Sequence, residues 1–113
     1  MFSKTLVAAS TKPLVLAILR NGENYGYQII QSVRRISGGR LEWSEPMLYP
    51  LLQRMEKEGL IRSKWRITGS KRLRKYYRLT EKGFKEQEQE TAQWSLINEL
   101  IGQVLNPAPT PEG

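Results

Sequence analysis

The sequence has 113 residues, carries a net charge of +7 and contains no cysteine, histidine or aspartate. Its length is typical of one small domain with an appended element, and the absence of cysteine fits a reducing compartment, so we expect a cytoplasmic protein. The missing residue types exclude a disulfide framework, the usual general base and most ligand sets for transition metals, so we expect neither a cofactor nor an enzyme.

Two apolar stretches near the N-terminus predict helices. The first covers residues 14–19 and can begin or kink at Pro13. It is much too short to span a bilayer, so we expect no membrane partner. The second, residues 25–37, repeats apolar residues at helical spacing and ends at Gly38 and Gly39, which favour a left-handed stop.

The segment SEPMLYPLLQRMEKEGL predicts a third helix. Ser44 can cap its first turn, Gly59 can close it, and Pro50 is expected to bend it slightly. Its apolar face consists of Leu48, Leu51, Leu52 and Met55.

After Gly59 the apolar period changes from helical to alternating, which predicts a β-hairpin. The residues expected to face inward are Ile61, Ser63, Trp65, Ile67, Tyr77 and Leu79. Gly69 and Ser70 are expected to allow the turn. Residues 62–85 contain ten cations and a single acid, so the outer face and tip of the hairpin are basic. Such a run is either a solvated surface or a surface that binds an anionic partner.

The last predicted helix begins after Thr80 and ends near Leu105, and residues 106–113 are expected to form a disordered tail. A helix of that length spans about 37 Å, more than a domain of this size can cover. Its apolar seam contains Trp94, Ile97, Leu100, Ile101 and Val104. We therefore expect a homodimer, with the alternative that the helix folds back along the first helix of its own subunit.

Three helices followed by a basic hairpin is the order of a winged helix-turn-helix, whose third helix enters the major groove while the hairpin, or wing, lies along the backbone. The expected fold is mostly α with a small β-hairpin. Residues 1–80 would form the winged helix-turn-helix domain and residues 81–105 the long C-terminal dimerisation helix. The expected partner is double-stranded DNA, and a dimer matches an inverted-repeat operator.

Other classes of function remain as alternatives. The winged helix could serve as a protein-protein adaptor without specific DNA binding. RNA recognition is disfavoured because a two-stranded wing is narrow for stacking bases. Membrane-surface binding is disfavoured because the apolar C-terminal helix carries glutamates rather than cations.

The segments GYQII, SGGRLEWSEPMLYPLLQRMEKEGLI and RLRKYYRLTEKG resemble the PadR-like transcriptional regulators of bacteria. The resemblance covers residues 14–84. Members of the small branch, with a single C-terminal helix, are homodimeric repressors of a palindromic operator, and the resemblance implies the same here. Pro46 and Met47 depart from the family, which usually has a glycine and a small hydroxyl residue before LYP.

Predicted exposure assigns the candidate DNA contacts. They are Ser44, Glu45, Met47, Tyr49, Gln53 and Arg54 on the recognition helix, and Lys71, Arg72, Arg74, Lys75 and Tyr76 on the wing. Tyr49 resembles the phosphate-contacting tyrosine of the family, or its ring packs on the second helix. Arg54 reads DNA or pairs with Glu58, four residues on.

Trp94 followed by serine resembles the tryptophan that lines a central dimer cavity in small PadR-like proteins. The resemblance implies a planar aromatic small-molecule effector that releases the operator. The alternative is a tryptophan that fills the dimer interface without binding a ligand. Trp65 and Trp43 are expected to pack in the core and at the hinge.

Overall fold

The computed structural model describes residues 2–109. Within that range the helices are α1 (Lys4–Arg20), α2 (Gly26–Ile36), α3 (Glu45–Lys57) and α4 (Glu81–Leu105), and the strands are β1 (Asn24–Tyr25), β2 (Ile61–Ile67) and β3 (Leu73–Leu79). The mostly helical fold with a small sheet confirms the predicted fold class. Residues 110–113 of the expected tail lie outside the described residues.

The sheet has three antiparallel strands in the order β1-β3-β2, whereas the sequence predicted a two-stranded hairpin. Asn24 pairs with Tyr77 and Tyr25 with Tyr76, so β1 adds to the edge of β3. The second helix consequently begins at Gly26 rather than at Tyr25. A two-residue strand leaves no periodic pattern in a sequence, because its conformation depends on the strand with which it pairs.

The first helix is longer than its apolar stretch. It starts at Lys4, and the Ser3 side chain accepts a hydrogen bond from the Leu6 amide at 3.1 Å. Pro13 therefore lies inside the helix instead of beginning it. The buried face of α1 packs into a core shared with α2, α3 and the sheet, whose largest fully buried members are Leu16, Leu19, Ile29, Leu48, Leu52, Met55, Leu60 and Ile61. Trp43 is also buried there.

The hairpin of β2 and β3, here called the wing, is in the predicted place but extends beyond the body of the domain. Tyr77 and Leu79 are buried, as predicted. Trp65 and Ile67 were expected to face the core, and that prediction is wrong because they are 60% and 74% exposed. The alternating pattern identifies one face of the hairpin, but the body is too short to cover that face along seven-residue strands.

The turn of the wing contains Gly69 and Ser70, as predicted, but neither of them is its left-handed residue. Thr68 and Arg72 close it, with the Thr68 amide donating to the Arg72 carbonyl oxygen at 3.0 Å. Lys71 takes the left-handed conformation, with φ of 60°, whereas Gly69 and Ser70 do not. The tip of the wing thus places a lysine where glycine or asparagine is usually favoured.

Helix α4 is attached to the domain at its N-terminal end. Thr80 is its N-cap, as predicted, and accepts from the Gly83 amide at 3.0 Å. Along α1, Arg20 Nη1 donates to Gln87 Oε1 at 2.8 Å and Lys12 Nζ lies 3.4 Å from Glu90 Oε1. The buried residues of α4 are Gly83 and Gln87, whereas residues 91–105 are exposed and extend past the end of the contacts with α1.

Candidate nucleic-acid interface

Helix α3 begins where the extended backbone of Ser44 turns into the helix, with φ of −117° and ψ of 160°. Ser44 occupies the predicted N-cap position, but its hydroxyl makes no capping hydrogen bond. Glu45 supplies a negative charge to the first turn, where the helix dipole favours it, and Pro46 fits because amides there have no partner within the helix. The unused Ser44 hydroxyl is exposed and free for an external partner.

The first turns of α3 and the wing enclose a groove of about 770 Å³. Its walls come from α3, the start of α2 and the inner side of the wing. The predicted DNA contacts that line it are Glu45, Tyr49, Gln53, Arg72, Arg74 and Lys75. Residues at positions 45, 49 and 53 follow one another at helical spacing, so α3 directs a single polar ridge into the groove.

Tyr49 packs on the start of α2. A Cβ built on Gly26 would lie 2.6 Å from the Tyr49 hydroxyl oxygen, so the ring fits there because residue 26 is glycine. Burial raises the pKa of Tyr49, Glu45 raises it further, and Arg74 lowers it. The phenol therefore stays protonated at neutral pH and keeps a hydrogen to donate. The packing role is present in the structure, and it leaves Tyr49 on the wall of the groove.

Two of the predicted contacts on α3 lie on another side of the helix. Met47 and Arg54 line a shallow depression against α1, and Met47 is partly buried on the core. Arg54 and Glu58 are close neighbours in that depression but form no ion pair in the described part of the chain. The structure thus divides the predicted recognition residues between the groove and a surface beside α1.

The cations of the wing differ in their surroundings. Lys71 and Arg72 are exposed at the turn. Lys75 Nζ lies 5.9 Å from the ring centroid of Trp65 and 5.7 Å from that of Tyr77. Cation-π contacts of this length hold the lysine loosely on the groove side and leave its charge available. Arg74 stacks more closely, with its guanidinium carbon 4.3 Å from the Tyr25 ring centroid.

Sequence reasoning missed two aromatic residues of the groove. Trp65 lines it from the wing and Tyr27 from the start of α2, and Tyr27 is 51% exposed. Tyr27 falls between the buried positions Gly26 and Ile29 of α2. The helical spacing of those buried positions could have predicted that Tyr27 is exposed. The exposure of Trp65 could not be predicted in this way, because it depends on how far the wing extends beyond the body of the domain.

A second set of contacts joins α3 to α4. The Thr80 hydroxyl donates to the Gly59 carbonyl oxygen at 2.5 Å, and Lys82 Nζ donates to the Glu58 carbonyl oxygen at 2.7 Å. The Thr80 amide also donates to the Leu60 carbonyl oxygen at 3.0 Å. These bonds use the free carbonyls at the end of α3. The C-terminal end of α3 and the N-terminal end of α4 are therefore held together as one joint.

The predicted seam on α4 is exposed. Its five predicted members, Trp94, Ile97, Leu100, Ile101 and Val104, are between 42% and 80% exposed. Trp94 also lines an apolar cavity of about 460 Å³ between α1 and α4, which Leu6, Pro13, Leu14 and Leu41 complete. The tryptophan is thus placed where the seam meets a cavity.

Residues 2–109 contain neither a metal-binding cluster nor a membrane-spanning helix. No group of three or more histidine, cysteine, aspartate or glutamate side chains is arranged to hold a metal ion there. Among the helices of that range, none combines the length and the apolar character needed to cross a membrane.

Comparison with known proteins gives a consistent result. The family model described as the transcriptional regulator PadR-like family matches residues 15–89. The negative transcriptional regulator PadR of Bacillus subtilis (strain 168) is 30% identical over 94 residues, which are 83% of this chain and 50% of that protein. This chain therefore spans half the length of that relative.

Solved structures show the same relationship. A PadR family transcriptional regulator from Eggerthella lenta is 34% identical with a TM-score of 0.77, over 92% of this chain and 88% of the other. A transcriptional regulator from Clostridium thermocellum is 28% identical with a TM-score of 0.81, over 91% and 97%. With the matched model covering α2, α3, the wing and the start of α4, the chain belongs to the PadR-like family of transcriptional regulators.

Proposed function

We propose that this PadR-like regulator binds double-stranded DNA as a homodimer and represses transcription from an inverted-repeat operator. The observation that carries the proposal is the groove, because it combines the polar ridge of α3 with cations and aromatic rings of the wing. A helix that reads base edges and a wing that contacts the backbone are the two parts of winged-helix recognition.

Within this proposal the residues of α3 have distinct tasks. Gln53 is exposed, and its amide can pair with an adenine edge in the major groove. The protonated phenol of Tyr49 can donate to a phosphate, and the Ser44 hydroxyl can do the same. Arg54 would contact the backbone on the α1 side of the helix. Met47 is partly buried against the core, so in this proposal it stabilises the helix and makes no contact with DNA.

The charge distribution supports a polyanionic partner. Residues 62–85 contain ten cations and one acid, whereas residues 86–113 contain five glutamates and no cation. Lys71, Arg72 and Lys75 would neutralise phosphates and release counterions, so affinity should fall steeply with salt. The acidic α4 would be repelled by the same DNA and would stay on the far side of the domain.

The shape of the chain supports dimerisation through α4. Its radius of gyration is 17.6 Å, whereas a compact domain of this length has one of about 13 Å. Polar contacts with α1 cover part of α4, but they leave its apolar seam exposed, and a continuous seam of that kind is usually covered by another chain. In this proposal residues 1–80 bind DNA and residues 81–105 join the subunits.

The name of the Bacillus subtilis relative, a negative regulator, supports the assignment as a repressor. Twofold symmetry would present two copies of the α3 ridge to the two halves of an inverted repeat. A DNA partner also implies a location in the cytoplasm.

Trp94 supports a role for a small-molecule effector. In a twofold dimer two copies of its ring would face each other across the axis, and flat aromatic compounds stack on such surfaces. An effector that binds better to a dimer with α4 tilted would shift the population toward that geometry. The joint at Thr80 and Lys82 would then move α3 with α4 and weaken operator binding.

The proposal is tested by selecting genomic duplex fragments with the purified protein. We expect enrichment of inverted repeats over random DNA, and tighter binding of a selected duplex than of single-stranded RNA or anionic vesicles. Failure to enrich any duplex would contradict the proposal and favour the protein-protein adaptor.

Repeating the binding with planar aromatic compounds tests the effector. Trp94→Ala should abolish both fluorescence quenching and operator release, and Trp43→Phe should abolish neither.

A further inference from the structure

Five side chains tie the wing to the segment before α2. The Glu23 carboxylate pairs with the Arg66 guanidinium, Arg66 covers the ring of Tyr76, Tyr76 meets Tyr25, and Arg74 covers Tyr25. We propose that this cluster, here called the wing clasp, sets the angle of the wing so that its tip reaches the DNA backbone. The inference rests on the proposed DNA-binding function and makes Glu23 a positioning residue for it.

The contacts of the wing clasp are continuous. The Arg66 guanidinium carbon lies 5.2 Å from the ring centroid of Tyr76. The rings of Tyr76 and Tyr25 are 5.3 Å apart at an interplanar angle of 68°, the edge-to-face arrangement that aromatic pairs favour. The Arg74 guanidinium carbon completes the series at 4.3 Å from the Tyr25 centroid.

The wing clasp also resolves an unfavourable pairing in the sheet. Arg66 and Arg74 lie directly opposite each other on β2 and β3. Like charges in that position destabilise a strand pair. Here each arginine has its own compensating partner: Glu23 and Tyr76 for Arg66, and Tyr25 for Arg74.

The position of the wing clasp along the hairpin explains why it affects orientation. Backbone pairing to β1 ends at Tyr25 and Tyr76, and the strands continue to Ile67 and Leu73, which are 74% and 58% exposed. Arg66 and Arg74 pair with each other in the strand register, one position closer to the body than the pair Ile67 and Leu73. The side chains of the wing clasp thus contact the wing closer to its tip than the backbone pairing with β1 does. The whole hairpin is about 23 Å long.

Five cations near the tip of the wing fall into two groups. The charges of Arg66 and Arg74 are engaged within the protein, and Tyr76 is partly buried between Arg66 and the ring of Tyr25. Lys71, Arg72 and Lys75 remain for the phosphates. Arg74 and Tyr76, which exposure alone would assign to DNA, are therefore positioning residues in this account.

The test uses a substitution that makes the protein more positive. Glu23→Gln removes one negative charge beside the wing, so electrostatics alone would tighten duplex binding. Loss of the ion pair instead frees the wing, which must be ordered again on binding. We expect Glu23→Gln to weaken binding to a selected duplex by about three- to tenfold, a range corresponding to one immobilised side chain.

Glu42→Gln is the matched control, because Glu42 is exposed and takes no part in the wing clasp. It removes the same charge, and we expect its affinity to equal or exceed that of the unmodified protein. Equal duplex affinity for Glu23→Gln and Glu42→Gln would overturn the inference.

A measurement without DNA separates this inference from the proposed function. Amide hydrogen exchange in residues 64–75 should be faster in Glu23→Gln than in Glu42→Gln, while exchange in the core of α1 stays the same. Unchanged exchange in the wing would overturn the wing clasp even if duplex binding is confirmed. If the unmodified protein binds no duplex, the proposed function fails and the exchange comparison still decides whether the wing clasp braces the wing.

Discussion

The backbone of Gly83 packs against the carbonyl oxygen of Leu60 so closely that a Cβ at residue 83 would lie 2.0 Å from that oxygen. The contact lies at the joint between the end of α3 and the start of α4, beside the bonds made by Thr80 and Lys82. Because the atom in the way belongs to the backbone, no side-chain rotation can relieve it. The angle between the two helices therefore depends on a glycine at this position.

Gly83→Ala should destabilise the protein by about 2–3 kcal/mol, the cost typical of forcing atoms into a packed site. The change is measured by urea unfolding at a fixed protein concentration. Gly102→Ala is the control in the same helix, because a Cβ there meets no atom within 4 Å. It should stabilise the protein by about 0.5–1 kcal/mol, since glycine is a poor helix former. Equal stability of the two variants would contradict the close packing of Gly83.

Gly26→Ala should displace the Tyr49 ring, whose hydroxyl oxygen would lie 2.6 Å from the new Cβ. Because a side chain can move, we expect a loss of about 1–2 kcal/mol, smaller than for Gly83→Ala. In a Tyr49→Ala background the same substitution should cost little, so the double-mutant cycle should show coupling of about 1 kcal/mol. Additive effects would mean that the ring does not rest on Gly26.

Lys71→Gly should be more stable than Lys71→Ala by roughly 1 kcal/mol, because φ of 60° strains any residue with a Cβ but not glycine. Both substitutions remove the same charge, so the difference in thermal stability between the two variants measures the backbone strain at residue 71. The two variants should weaken duplex binding to a similar extent. If alanine proved the more stable, the turn would not have the left-handed conformation at residue 71.

Burial raises the pKa of Tyr77 from 10.0 to about 12, with smaller contributions from Glu56 and Tyr49. The folded state thus favours the neutral phenol. The resulting stability is fully present below about pH 10 and is lost as the pH rises toward 12, with a loss of about 1 kcal/mol at pH 11. Urea midpoints at pH 9 and pH 11 measure the change. Tyr77→Phe should reduce the difference, and an unaltered difference would assign it to other groups.

The sequence predicted an element correctly where apolar periodicity and the residues at helix ends determine it locally. The bounds of α3 and α4 follow from Ser44, Gly59 and Thr80, and the strands of the wing follow from alternation up to Leu79. The misses at β1, Trp65 and Lys71 share a different cause: each depends on what lies next to the residue in space. A single sequence carries no periodic signal for the strand that pairs with β1 or for how much of the wing the body of the domain covers. Nor does it carry one for the hydrogen bond that closes the turn.

The same distinction applies to the candidate site. Charge and helical spacing identified the wing cations and the ridge formed by Glu45, Tyr49 and Gln53. They did not separate Arg74, which stacks on Tyr25, from Lys71, which is exposed at the turn. Nor did they separate Arg54 from the ridge, because α3 had to be packed on α1 before its faces could be distinguished.

The central claim, that the wing and α3 form a DNA-binding surface, is tested most directly by the salt dependence of duplex affinity. The dissociation constant of a selected duplex is measured at several salt concentrations for the unmodified protein and for the double variant Lys71→Ala/Arg72→Ala. We expect the variant to bind all duplexes more weakly, with the slope of log affinity against log salt reduced by about 2. An unchanged affinity and slope would contradict the claim.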